Sequence, residues 1–217
     1  MLISRILWKL NKVYANCSMP NMYLSFWGTL SQWALAAQDN QAVVPFSATY
    51  NKRLHLNRTM VLGGQGAIAL SIPLMGGRDQ SGLLKDIKVA FPDDDWRRKH
   101  IRTIESCYRK APFFDYYAPA VLSLYEQTFE FLWQWQFESW KTVSKLLKCS
   151  LEIGWTEGKI EFENLSEQSL LKPYPQLFLD RYGFQKNGGM LDLLFCMGPS
   201  AINNLSHSST NEGYIKP

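Results

Sequence analysis

The sequence has little of what most often announces a chemistry. It holds three histidines, His55, His100 and His207, and His207 stands in a polar C-terminal stretch. A histidine-rich metal centre is not expected from so few. None of the four cysteines, Cys17, Cys107, Cys149 and Cys196, sits in a CxxC pair. Their spacings fit no disulfide scaffold, so they read as reduced thiols of an intracellular protein. No apolar run approaches the roughly 18 residues of a membrane span. Arg5 and Lys9 interrupt the apolar residues of the N-terminus, which argues against a secretory signal. Charged residues are sparse at 19%, below the usual quarter. No internal repeat is present. The glycine-rich Gly63-Gly64-Gln65-Gly66 leads into a strand pattern, whereas phosphate loops lead into a helix.

What is there is apolar and aromatic bulk. Of 217 residues, 46% are hydrophobic, with 8 Trp, 10 Tyr and 12 Phe. A chain of this length forms one core, with enough apolar surface to offset its ordering entropy. The net charge of +4 is divided unevenly. Residues 1–110 hold 15 Lys/Arg against 7 Asp/Glu, and residues 111–217 hold 8 against 12. The basic half points to an anionic partner, or else the two halves neutralise each other.

Periodicity organises the chain as an α/β protein. The expected architecture is one domain of two or three layers, with a mixed sheet and a helical segment at about 94–148. Residues 1–18 form an N-terminal extension, a short amphipathic helix or the product of a start placed too far upstream. The domain spans 19–205, and a flexible polar tail covers 206–217. A helix begins after Gly28 with Leu30, Trp33, Ala34 and Ala37 on one face. Ala42-Val43-Val44 is a buried strand closed by Pro45. Thr59–Leu62 and Ala67–Ile72 form a hairpin. Ile87, Val89 and Phe91 alternate as a further strand. Asp93-Asp94-Asp95 opens a helix, acids suiting its N-terminal turn. Trp96, His100, Ile104 and Cys107 share one side of it, and Arg98, Arg102 and Arg109 another. Tyr116–Leu147 is helical in two pieces meeting near Gln127-Thr128, with more than one face covered. Strand and loop fill Cys149–Pro175. Met190–Phe195 begins a last amphipathic helix, interrupted at Gly198-Pro199.

The strongest polar cluster is Tyr50-Asn51-Lys52-Arg53 with Asn57-Arg58-Thr59. Three cations and two amides stand just before a strand. Arg offers a planar fork for carboxylate or phosphate and Lys a point charge. The alternative is a solvated loop. Arg78 follows Gly76-Gly77 in a flexible loop. His100 is either a half-buried, hydrogen-bonded residue or a general base. Asp192 lies among Leu and Phe, so it is either paired with a cation or kept as an acid or base. Cys107 and Cys196 fall within helices and give no sign of a reactive thiolate.

Three blocks, in order, resemble the WbqC-like proteins of bacteria. They are Tyr50–Arg58 with Leu70-Ser71-Ile72-Pro73-Leu74, then Trp96–Ile104 running to Ala111–Tyr117, then Met190–Phe195 with Gly198-Pro199. The likeness covers about residues 20–205. It implies a cytoplasmic bacterial protein, with members often associated with surface-polysaccharide gene clusters and a role inferred in sugar or nucleotide-sugar modification. Ser18-Met19-Pro20-Asn21 lacks the His that many relatives carry in a His-Gln-Pro-type turn. Leu56 and Cys196 also depart from common residues.

Residues and resemblance together lead to an expected transferase in surface-polysaccharide synthesis, acting on a nucleotide-sugar or another anionic metabolite. Tyr50, Lys52, Arg53, Asn57, Arg58, Arg78 and Arg102 would bind the substrate, and His100 and Asp192 would carry the chemistry. No metal ligand set, cofactor or oligomeric state is indicated. The alternatives are a nucleic-acid-binding module and a non-catalytic scaffold.

Overall fold

In the computed structural model, which describes residues 22–77, 80–90, 95–156, 172–186 and 188–206, the chain enters the core as an extended segment and turns sharply at Trp27-Gly28. Both residues have positive φ, 63° and 76°. Gly28 is required there on two counts. A Cβ would stand 2.4 Å from Trp33 Nε1 and 2.8 Å from the Trp140 ring. Trp27 holds its unusual conformation because its main-chain N–H donates to Ser139 Oγ and its indole to the Tyr125 hydroxyl. Thr29 then caps helix α1 (Leu30–Asp39), exchanging bonds with Gln32 in a capping box. Asn40, in the left-handed region, closes it.

Strand β1 (Gln41–Pro45) pairs in parallel with β4 (Glu152–Thr156), Gln41 opposite Glu152. β2 (Arg58–Gly63) and β3 (Gly66–Ser71) form the expected antiparallel hairpin. The protein is thus mixed α/β, its parallel and antiparallel pairings divided, among the described residues, between two small two-stranded sheets. The alternation at 87–91 does not become a strand. Leu74–Val89 and Lys88–Phe131 are isolated bridges, because the 88–90 segment lies between two neighbours for only a residue or two. Phe91 lies outside the described residues, as do residues 1–18 and the tail from 207.

Helices α2 (Asp95–Tyr108), α3 (Phe114–Ser123) and α4 (Leu132–Leu147) fill the expected helical segment. The break falls at 127–131, after a 3-10 turn at Leu124–Glu126. α2 packs beneath β2, and α4 runs through the core. Trp140 of α4 stacks on Trp33 of α1, with ring centroids 4.1 Å apart and planes 12° apart. A short helix α5 (Leu179–Tyr182) follows. Helix α6 (Met190–Met197) was expected to be amphipathic but is buried on every side from Met190 to Cys196. It packs against both α3 and β2, so no face is left for solvent. α7 (Ala201–Ser206) packs on α1.

Candidate functional site

The basic cluster is built from a tight turn and the start of a strand. Asn51 accepts the Arg53 amide through its side chain, holding Lys52–Leu54 as one 3-10 turn. His55 then takes a left-handed conformation, φ 50°, and Arg58 begins β2. Lys52, Arg53 and Arg58 are all exposed. No ion pair is recorded for any of the three among the described residues. Beneath them Tyr50 is 7% exposed. Its hydroxyl donates to Asn57 Oδ1 at 3.5 Å, and Asn57 Nδ2 donates to the Ile72 carbonyl at 2.7 Å. Burial raises the Tyr50 pKa and the charge of Arg58 partly opposes the rise. Tyr50 and Asn57 therefore brace the turn that presents the cations.

His100 joins this group through one atom. Ser71 is the cross-strand partner of Arg58, and the Ser71 carbonyl accepts a hydrogen bond from the His100 ring. The imidazole is 4% exposed, packed near Phe26, Trp96 and Tyr125 with centroids 6.3, 5.1 and 5.7 Å away. Burial pushes its pKa down to about 4, a shift that the Ser71 bond only partly opposes. The ring is neutral at pH 7, and Nδ1 has no hydrogen-bond partner among the described residues. Chemically it is a donor to one carbonyl with one open acceptor nitrogen.

Arg102 sits on α2 but is exposed. It lies close enough to Asp95 to lower its pKa, behind Lys99, which bonds Asp95 at 2.5 Å, and Arg98. Arg78 lies outside the described residues.

Asp192 belongs to a separate constellation. It is 1% exposed. Its Oδ2 accepts from the Tyr174 hydroxyl at 2.7 Å and from Gln176 Nε2 at 3.1 Å, and Tyr108 bonds the carboxyl as well. Its partners among the described residues are hydroxyls and an amide, not the cation that a buried carboxylate suggests. Burial raises its pKa against the pull of these three donors. The Tyr108 hydroxyl in turn accepts the Leu62 amide at 2.9 Å, which ties the carboxylate to the hairpin. Gly188 and Gly189 press against the same place. A Cβ on Gly188 would stand 3.0 Å from Asp192 Oδ2, and one on Gly189 would stand 2.4 Å from the Met60 carbonyl. Cys196 is pushed up to about 12 by burial and the Asp192 charge, and Cys107 is raised for the same reasons. Both thiols stay protonated near neutrality.

Asp192 reaches α2 at Tyr108, two turns and about 12 Å along the helix from His100. The structure brings Tyr50, Asn57 and Arg58 together and links them to His100, and it sets Asp192 apart. Among the described residues no group of three or more His, Cys, Asp or Glu is placed to hold a metal ion, and no helix is long and apolar enough to cross a membrane. Sequence reasoning missed Tyr108, Tyr174 and Gln176. A lone acid in an apolar helix signals that donors must exist, but not where in the chain they are.

A family model for the WbqC-like proteins matches residues 33–189. The chain belongs to the WbqC-like protein family. The match takes in the basic turn, the hairpin, α2 and the residues that hold Asp192, and it stops just before α6. No curated protein and no solved structure matches this WbqC-like chain significantly.

Proposed function

We propose that the protein is a biosynthetic enzyme, a transferase acting on a nucleotide-sugar or another anionic metabolite in surface-polysaccharide synthesis. One observation carries the reading: three exposed cations, Lys52, Arg53 and Arg58, project from one braced turn with no ion pair among the described residues. Such a group favours a phosphate or carboxylate, with Arg58 as the fork and Lys52 as the point charge. Arg102 and Arg78 are further candidates for the anionic group. His100, joined to the turn through Ser71, is the candidate proton carrier, its open Nδ1 being the accepting atom. Asp192 is the candidate second catalytic group, its raised pKa suiting an acid. Membership of the WbqC-like family supports a biosynthetic role of this kind.

The test is a thermal-shift and calorimetric screen against nucleotide-sugars and nucleoside phosphates. A ligand that raises Tm, and loses the effect at least tenfold in Arg58→Ala without a change in the circular dichroism spectrum, is the expected result. Undiminished binding by Arg58→Ala would remove the reading. Nucleic acid is the second candidate partner, supported by the same cations. The large aromatics that could stack on bases are mostly in the core.

A further inference from the structure

Among the described residues, the outer edge of β3 is covered along part of its length and open along the rest, and the open part has a particular shape. The Ile72 amide bonds the Asn57 carbonyl at 2.9 Å. Alternation in an antiparallel ladder then turns Leu70, Ile68 and Gly66 toward β2, and it turns the main-chain groups of Ala67, Ala69, Ser71, Pro73 and Met75 outward. From Ser71 onward three of the outward groups are used. The Ser71 carbonyl takes the His100 bond. The Pro73 carbonyl takes the Ala90 amide at 2.9 Å, and the Met75 amide donates to the Lys88 carbonyl at 3.0 Å. Ala67 and Ala69 have no such partner among the described residues. Ala67, Ile68 and Ala69 are all exposed, in a run from Gly66 to Met75 without one charged residue. Open strand edges are usually blunted by lysine, proline or a bulge; Ala67–Ala69 has none of them.

We propose that Ala67–Ala69 is the contact through which two copies of the chain pair, antiparallel, about a two-fold axis at Ile68. The hydrogen-bonding pattern of this edge is its own complement. Two open residues flank one closed residue, so a two-fold at Ile68 sets Ala67 opposite Ala69 of the second copy, and Ala69 opposite its Ala67. Each is a hydrogen-bonded pair, and together they supply four main-chain bonds. The alanine side chains let the strands reach ladder spacing. The two Ile68 side chains, each 39% exposed, meet across the axis as the close, non-bonded pair. No charge opposes the approach within the run. An edge this short buries well under the roughly 800 Å² per partner of a stable interface. The pairing is therefore an equilibrium between monomer and dimer that responds to concentration. The two hairpins become one four-stranded sheet.

The test is sedimentation velocity of the full chain over a concentration series reaching the high micromolar range. The expected result is a rise from the 25.0 kDa monomer toward twice that mass. In Ala69→Pro the species stays monomeric throughout. The amide that proline removes points away from β2, so the hairpin keeps its bonds. Ala69→Lys, which leaves the backbone intact and places a charge at the edge, gives the same outcome and decides the matter should the proline variant fail to fold. A wild-type chain that stays monomeric at every concentration overturns the proposal. So does a dimer that persists in Ala69→Lys.

Discussion

The buried imidazole of His100 makes stability depend on acidity in a definite direction. Its pKa falls from the ordinary 6.5 to about 4 on folding. Between these values the unfolded chain binds a proton that the folded chain refuses. Stability is therefore complete above pH 6.5 and declines as pH falls toward 4, by about 3 kcal/mol from this residue. His100→Gln has an amide that can still donate to the Ser71 carbonyl but has nothing to titrate. Urea unfolding at about pH 7 and about pH 4.5 should show the wild type losing roughly 2–3 kcal/mol more than the variant. Equal losses would mean that the ring is not held neutral. Asp192 works in the opposite sense. Its pKa is raised, so the stability tied to its protonated form is present below the ordinary carboxylate value and lost as pH rises through the raised one. Helical spacing with Trp96 and Ile104 made the burial of His100 legible in the sequence. The burial of Arg97, 8% exposed with its guanidinium 5.3 Å from the Trp135 ring centroid, was not legible. Three arginines crowd one segment, and only the packing of α4 decides which of them turns inward.

Among the elements, the hairpin, α1, α2 and the divided α3–α4 segment announce themselves because local pattern and tertiary environment agree. The failures occur where they part. α6 offers its mean apolarity but not the number of neighbours, so an entirely enclosed helix resembles an amphipathic one. Residues 172–176 carry Tyr174 and Gln176 to Asp192 without any regular structure, and irregular backbone has no period to read. The joint between the entry segment and α1 is the most exacting of the local geometries. Gly28→Ala would force a methyl group into Trp33 and Trp140 at a positive φ. Chemical denaturation should show a loss of about 3 kcal/mol or more. A loss below about 1 kcal/mol would mean that the indole stack yields easily.

For the molecule as a whole, uneven charge matters more than net charge. The basic N-terminal half displays Lys52, Arg53 and Arg58 to solvent without an ion pair among the described residues. A small anion bound there touches two or three cations, so its affinity should fall only modestly between about 50 and 200 mM salt, as read by calorimetric titration. A polyanion neutralising six or more phosphates would lose about a thousandfold or more over the same range. The steep dependence would move the protein from metabolite to nucleic acid. The composition showed this asymmetry plainly. It could not show that Arg58 and His100, 42 positions apart in the sequence, share Ser71 as a common neighbour.

The parallel pair β1–β4 has a consequence for how the chain comes into being. β1 leaves the ribosome well before β4, with three apolar residues, Ala42, Val43 and Val44, destined for the interior, yet its ladder partner does not exist until Thr156 has been added. Over that interval the strand has only the Met22 amide, which donates to the Val43 carbonyl, as a main-chain partner from the preceding described residues, while the hairpin and α2 between them can already form from local contacts. Synthesis thus imposes a waiting time on the first strand, during which its apolar residues must be sheltered by helices or by other proteins.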